Sequence, residues 1–329
     1  MRQLVLGTRG SRLALAQARA VAASLGGEDA GIELRIIQTR GDRLREMRFS
    51  EQLDKGFFTT ELERALSDGD VDLVVHSLKD LPTASPAGLT VAAIPQRAPV
   101  GDVLLVRADA LTEPPQQGWL PLPEGALVGT SAARRRALLT HLSPQVSGVD
   151  FRGNVPTRVE KCLRGDVQAI ILARAGLSRL ALDIDGLCAF DLDPEIWIPA
   201  PGQGALAIQC RSSDTDLQTR LQTLDHPESH RAVVLEREVL ATLEGGCHAA
   251  CGAALISDES GLSLHMGMVL EPEIGWQQAR LRLPVQPSAQ GIDAERAQVV
   301  AQVHAIRDQD AALTNSKAWW SPAVPWSTE

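Results

Sequence analysis

The sequence predicts an α/β protein with two doubly wound domains and a small α+β C-terminal domain. Three observations carry this reading. Short apolar runs alternate with helix-spaced segments from residue 3 to about residue 209, the pattern of strands and helices stacked in layers. Two Pro- and Gly-bearing linkers, near 95–102 and 198–204, let the chain leave a first domain, build a second and return. Beyond Asp225 a long helix-like run leads into three alternating strands and a last helix, the order of a separate small domain. The expected boundaries are 1–99 with 199–224, then 103–198, then 225–311. A tail at 312–329, rich in Trp and Pro, has no helical period.

In the first domain, residues 3–7 read as a short buried strand and Thr8-Arg9-Gly10-Ser11 as a turn. Arg12 to Leu25 has the spacing of a helix (Leu13, Ala16, Ala20, Leu25), with Ser11 as its N-cap. A strand that feeds a helix through such a turn aims backbone N–H groups at the turn and favours an anion there; Arg9 and Ser11 lie in it. Ile32 to Gln38 is a second strand. Residues 43–56 are charged and aperiodic and lead into Lys55-Gly56-Phe57-Phe58. Thr59 to Leu66 is a helix with Glu61 and Glu63 early. Val71 to His76 is a buried strand running into Ser77-Leu78-Lys79-Asp80-Leu81-Pro82, where proline ends regular structure. Lys79 and Asp80 thus sit where a parallel strand ends, the place where open α/β sheets keep their ligand groups. Leu89 to Ile94 is a further strand.

In the second domain, Val103 to Val106 is a strand and 109–124 a proline-bearing loop. Ala126 to Ser131 repeats the strand-to-turn plan, with Ser131 as the expected cap of the helix Ala132 to Leu142. Arg134, Arg135 and Arg136 fall in the first turns of that helix. The helix dipole disfavours cations there, so the placement implies an anion between them and the helix start. Val146 to Val149 is a strand, followed by Arg152-Gly153-Asn154 and a helix from Pro156 to Arg164 that carries Arg158. Strand Ala169 to Leu172 and helix Ala175 to Leu182, with Arg179, complete the alternation. Parallel sheets are expected throughout. Gln203 lies in the second linker and Ala205 to Gln209 is one more strand. Residues 214–224 read as a helix that completes the first domain; the last domain has a helix at 227–243, strands at 249–256, 262–270 and 277–283, and a helix at 292–306.

Composition narrows the function. The chain has a net charge of −9, 44% apolar and 22% charged residues, which fits a water-soluble globular protein and speaks against general nucleic-acid binding. The arginines nevertheless crowd into 134–158, which suits a local site for a small anion. Apolar runs are too short to span a bilayer, and Arg2 and Arg9 precede any signal-peptide core, so no membrane association and a cytoplasmic location are expected. Five cysteines, an odd number and mostly far apart, argue against a disulfide framework. One of them ends the stretch Leu243-Glu244-Gly245-Gly246-Cys247-His248. Two glycines stop a helix and leave the sulfur approachable, so the thiol can carry a covalent group; a lone cysteine is more often a small buried hydrophobe. A structural zinc site wants four ligands, usually in two pairs, and Cys247-His248-Ala249-Ala250-Cys251 has no second pair to join, so no metal is expected.

Taken together, these segments resemble the porphobilinogen deaminase (hydroxymethylbilane synthase) family. The matching stretches, in family order, are Thr8-Arg9-Gly10-Ser11, Thr39-Arg40-Gly41-Asp42, Lys55-Gly56-Phe57-Phe58, Val75-His76-Ser77-Leu78-Lys79-Asp80, Gly129-Thr130-Ser131 with Arg134-Arg135, Arg152-Gly153-Asn154-Val155 with Thr157-Arg158, Pro201-Gly202-Gln203-Gly204-Ala205 and Leu243-Glu244-Gly245-Gly246-Cys247. The resemblance implies two periplasmic-binding-protein-like domains, a third domain bearing the cofactor, and dipyrromethane held as a thioether on Cys247. It implies a transferase that joins four porphobilinogen molecules head to tail, releases ammonia, and frees hydroxymethylbilane with water. Asp80 matches the catalytic aspartate. Lys79, Ser131, Arg134, Arg135, Arg152 and Gly153 are implied cofactor contacts. Arg9, Ser11, Phe58, Arg158, Arg179 and Gln203 are implied substrate contacts, with Phe58 placed to stack on a pyrrole ring. A monomer whose only partner is this small molecule is expected.

The residue types suit that chemistry independently. Each porphobilinogen carries two carboxylates, and guanidinium forks bind carboxylates with two hydrogen bonds and do not deprotonate. Positive charge develops on pyrrole nitrogens during condensation, and one carboxylate facing them lowers its energy. The chain departs from the family pattern at Leu53-Asp54, where two glycines are usual, at Glu51, at Ala132-Ala133 and at Cys251. A non-catalytic cytosolic module binding a small anion, on the same two-domain plan, is the rival reading.

Overall fold

The computed structural model describes residues 3–27, 31–39, 59–114, 118–244, 250–258, 261–270, 273, 275–286, 291–307 and 320–322. In chain order its first elements are β1 (Leu4–Thr8), α1 (Arg12–Ser24), β2 (Ile32–Ile36), α2 (Thr60–Ser67), β3 (Leu73–Ser77), β4 (Leu89–Ala93) and β5 (Asp102–Arg107). Next come β6 (Leu127–Gly129), α3 (Ala133–Leu142), β7 (Ser147–Val149), α4 (Val155–Leu163), β8 (Ala169–Ala173), α5 (Arg174–Leu180), β9 (Leu187–Leu192), β10 (Leu206–Arg211) and α6 (Thr215–Gln222). The last are α7 (Pro227–Glu244), β11 (Cys251–Asp258), β12 (Gly261–Val269), β13 (Trp276–Leu283), α8 (Ile292–Arg307) and β14 (Trp320–Pro322). Among the described residues no helix is long and apolar enough to cross a membrane.

The chain divides into two compact units, one of residues 1–98 with 204–230 and one of residues 99–203 with 231–329. The first holds a five-stranded sheet in the order β2-β1-β3-β10-β4. Strand β3 shows why it is doubly wound. Leu73 and Val75 point into a core with Leu6, Ala18, Val21, Leu217 and Leu221, whereas Val74 points to the other face, among Leu62, Leu66 and Val71. Alternate side chains of one strand therefore feed two cores, covered by α1 and α6 on one side and α2 on the other.

The second unit holds a six-stranded sheet in the order β14-β9-β5-β8-β6-β7 and a three-stranded antiparallel sheet, β11-β12-β13. The same alternation recurs in β5: Leu104 and Val106 pack with Leu138, Leu139 and Trp197, while Val103 and Leu105 pack with Val159, Cys162 and Leu177. The small sheet has its own core, closed by Val239 and Leu243 of α7 and Val299 and Val303 of α8.

Three features differ from the sequence reading. Both sheets are mixed rather than wholly parallel. β10 runs antiparallel to β3, with Leu206 opposite Ser77, and β5 runs antiparallel to β8, with Asp102 opposite Ala173. Each of these strands enters its sheet straight from a linker, at the carboxyl end of its neighbour, without the helical crossover that a parallel partner needs. β9 was not foreseen in the sequence; its burial alternates imperfectly, with Ala189 and Asp191 only half-buried. Within the tail, Trp320–Pro322 adds an antiparallel edge strand beside β9.

Candidate functional site

In the first unit the candidate residues gather at the carboxyl ends of two adjacent parallel strands. β1 pairs with β3 (Leu6 opposite Leu73, Gly7 opposite Val74), so the turn after Thr8 and the turn after Ser77 emerge side by side. Ser11 caps α1 as expected: its side-chain oxygen accepts from the Ala14 N–H at 3.2 Å. Thr8 Oγ1 donates to the Ala14 carbonyl at 3.2 Å, and Gln17 Nε2 donates to Ser77 Oγ at 3.0 Å. The first turns of α1 are thus tied to the end of β3. Beyond Ser77 the chain makes one 3-10 turn, Leu78–Asp80. Leu78 is anchored in the interior, while Lys79 and Asp80 are exposed. A buried residue followed by two exposed ones is what presents a carboxylate to a ligand at a strand end.

Beneath this turn lies a buried polar chain that the sequence reading did not identify. His76 Nε2 meets Gln209 Oε1 at 3.2 Å, and Gln209 Nε2 donates to Glu63 Oε1 at 3.2 Å. With Gln209 so oriented, His76 carries its proton on Nε2. Burial pushes the His76 pKa down to about 4; the hydrogen bond to Gln209 opposes this, and the nearby Arg9 cation adds to it. Burial likewise pushes the Glu63 carboxyl up, against its hydrogen bond from Gln209. His76 is therefore neutral at ordinary pH.

In the second unit the starts of α3, α4 and α5 follow β6, β7 and β8, whose parallel pairing puts these three turns at one end of the sheet. Asn154 caps α4 through a bond from the Thr157 N–H at 2.9 Å, with Pro156 in the first turn. Gly153 has φ of +131°, and a Cβ there would stand 3.0 Å from Thr157 Cγ2, so only glycine fits this tight approach. Arg158 Nε donates to the Gly153 carbonyl at 2.8 Å, which folds the guanidinium back over the turn. Arg152 is exposed and pairs with Asp150 at 2.9 Å. Arg179, in the last turn of α5, is largely desolvated, and burial pulls its pKa down to about 10.

Four expectations need correction or refinement. Ser131 does not cap α3: the cap position is Ala132, which makes no side-chain capping bond. Ser131 Oγ instead accepts from the Phe151 N–H at 3.2 Å and so joins the two turns. Arg134 and Arg135 point inward, each 6% exposed, and the anion they hold is the protein's own Asp102. Arg135 reaches Asp102 with Nη2 at 2.7 Å and Nε at 3.2 Å, and Arg134 with Nη2 at 2.7 Å. Gln203 is 1% exposed and donates from Nε2 to Asp102 Oδ1 at 2.8 Å and to the Val100 carbonyl at 2.7 Å. Trp197 Nε1 donates to Asp102 Oδ2 at 2.9 Å. Burial alone would raise the Asp102 pKa, but Arg135 and then Arg134 hold it far below the usual carboxylate range. The same burial pulls Arg134 down, from so high a starting point that it stays charged. Two guanidinium groups share one carboxylate here, so the cluster is cationic.

The sequence reading missed Asp102. The available signal was a charged residue at the head of an apolar run, Asp102-Val103-Leu104-Leu105-Val106, with an arginine pair further along the chain. Phe58 and Cys247 lie outside the described residues, as do Arg40, Glu51, Leu53, Asp54 and Lys55.

Comparison with known proteins agrees with the sequence motifs. Residues 4–236 match the family model described as porphobilinogen deaminase, dipyrromethane cofactor binding domain. A porphobilinogen deaminase of Rubrobacter xylanophilus is 42% identical over 273 residues, covering 82% of this chain and 85% of that protein. One of Syntrophomonas wolfei is 41% identical over 268 residues, covering 81% and 84%. Among solved structures, an ancestral cationic amino acid solute binding protein aligns over 68% of this chain and 87% of its own, at 14% identity and a TM-score of 0.40.

Proposed function

The chain belongs to the porphobilinogen deaminase family, and we propose that it performs the family's condensation with Asp80 as the catalytic carboxylate and Cys247 as the anchor of dipyrromethane. The family joins porphobilinogen units stepwise and releases hydroxymethylbilane for tetrapyrrole synthesis. The observation that carries the site assignment is the placement of Asp80. It stands exposed on a rigid 3-10 turn at the carboxyl end of β3, beside the Arg9 turn at the end of β1.

Asp80 has the form the chemistry requires. Loss of ammonia from porphobilinogen leaves a cation delocalised onto a pyrrole nitrogen. A carboxylate that accepts hydrogen bonds from pyrrole N–H groups stabilises that charge and can take up the proton released when the new carbon–carbon bond forms. Arg9 and Ser11 supply a cation and a helix start for a substrate carboxylate on the same unit.

The donor set of the second unit suits a polyanionic cofactor. Arg152, Arg158, Arg179 and the turn around Gly153 offer charge and N–H groups at one sheet end, and Ser131 fixes that turn. Arg134 and Arg135, although turned to Asp102, leave a net positive centre below the surface, which attracts carboxylates through space. Gln203 acts through that cluster. Lys79 lies beside Asp80 for a further carboxylate, and Phe58 provides an aromatic face for a pyrrole. When bound, dipyrromethane supplies the pyrrole carbon onto which the first substrate is joined. The thioether at Cys247 keeps this primer on the chain when water cuts the product away. The reading includes a three-domain division, a cytoplasmic location and a monomer.

Intact-mass spectrometry tests the proposal. The purified chain is expected to exceed its sequence mass by one dipyrromethane, and Cys247→Ala to lose the excess. A native mass equal to that of the bare chain would overturn the reading in favour of a non-catalytic anion-binding module.

A further inference from the structure

Within the second unit, the linker Ile198–Gln203 is held along both edges. On one edge Arg134 Nη1 donates to the Ile198 carbonyl at 2.7 Å, and Gln203 Nε2 donates to Asp102 Oδ1 at 2.8 Å. On the other edge the linker meets the two elements that flank Cys247 in sequence, α7 before it and β11 after it. Glu236, in α7, is fully buried. Its two carboxylate oxygens divide between them: Oε2 accepts from the Gly202 N–H at 2.8 Å, and Oε1 accepts from the Leu255 N–H of β11 at 2.9 Å. Ala253 N–H donates to the Pro199 carbonyl at 2.9 Å. At Gly252 the backbones come so close that a Cβ would stand 2.7 Å from the Ile198 oxygen and 2.9 Å from the Pro199 oxygen.

From this we infer that Glu236 and Gly252 are positioning residues for the cofactor-bearing arm: they fix the register of α7 and β11 on the linker and so set where the Cys247 attachment point lies relative to the cationic Asp102 cluster. The inference rests on the reading that Cys247 carries dipyrromethane. Its physical basis is short reach. Six residues, 245–250, connect α7 to β11, and six residues extend no more than about 20 Å. The two flanks therefore set an upper bound on how far the thioether can lie from them. Both flanks share one buried carboxylate, so a single side chain ties α7, β11 and the linker together. The Arg134 and Gln203 contacts then join these three elements to the Asp102 cluster.

Neutralising Glu236 breaks this arrangement with almost no change in shape. In Glu236→Gln one oxygen becomes an NH2 group, which faces an N–H donor and leaves either Gly202 or Leu255 without an acceptor. Gly252→Ala acts independently, because its methyl must push β11 away from two carbonyl oxygens.

The test compares both variants with wild type and with Arg231→Lys. Arg231 clamps Glu295 and the Pro284 and Val285 carbonyls inside the third sheet's domain, away from the linker, so it serves as a stability control. Three quantities are read well below the melting temperature: cofactor mass, the mass ladder of enzyme-bound one-, two- and three-unit intermediates after limited substrate, and kcat and KM per loaded molecule. Glu236→Gln and Gly252→Ala are expected to shift the ladder and lower kcat by about ten- to a hundred-fold with KM little changed. Arg231→Lys is expected to lower the melting temperature alone. If Glu236→Gln does not fold, Gly252→Ala decides. An unchanged ladder and kcat in the linker variants, with wild type loaded, would overturn the positioning role while the Cys247 reading stands. A wild type without cofactor mass would overturn the Cys247 reading itself.

Discussion

Arg135 grips Asp102 through two nitrogens, Nη2 at 2.7 Å and Nε at 3.2 Å, and neither residue is open to water. Three further hydrogen bonds reach the carboxylate, one each from Arg134, Trp197 and Gln203. Removing its charge leaves two guanidinium groups facing a neutral amide in a dry interior. Asp102→Asn is expected to destabilise the protein by about 3–5 kcal/mol, read from urea unfolding. A loss below about 1 kcal/mol would mean that water reaches the cluster.

Asp80 predicts the opposite separation. It is exposed and packs no core, so Asp80→Asn should leave the unfolding midpoint and the cofactor mass as they are. Turnover should fall by about a hundred-fold or more. Near-normal activity would remove Asp80 from the mechanism.

Arg152 offers a second separation of stability from function. Its pair with Asp150 is exposed at both ends, so breaking it should cost less than about 1 kcal/mol. Arg152→Ala is nevertheless expected to impair cofactor loading or elongation, seen as a changed distribution of bound intermediates by mass. An unchanged distribution counts against its role.

His76 makes stability depend on pH. Its folded pKa, about 4, lies below its ordinary value of 6.5, so the unfolded chain binds the proton more readily. The protein should hold its full stability above about pH 6.5 and lose about 3 kcal/mol between there and pH 4 from this one residue. His76→Gln should flatten that part of the profile. Equal slopes in the two proteins would show that His76 is hydrated in solution.

How much of this was legible in the sequence depends on distance along the chain. Ser11 reads as a cap because its partner, Ala14, is three residues away, and Asn154 caps Thr157 over the same interval. Ser131 looks the same locally, but its oxygen is taken by Phe151, 20 residues on. The arginines at the start of α3 suggested an anion at the helix start, but the one they hold is the protein's own carboxylate. That the anion is Asp102, over 30 residues earlier, follows only from folding β5 against β8. Glu236 was hidden for the same reason: a single acidic residue in a helix gives no hint that two N–H groups from different segments will converge on it. The antiparallel entry of β5 and β10 was misread because strand spacing records alternation and not direction.

The short strand Trp320–Pro322 bears on handling of the protein. It covers the rim of the large sheet along Leu192, Asp191 and Phe190 of β9. Versions trimmed before Trp320 would bare a row of unsatisfied peptide groups, a ready template for another molecule to add onto. Poor solubility after C-terminal trimming would then trace to one uncovered sheet margin rather than to a damaged catalytic centre.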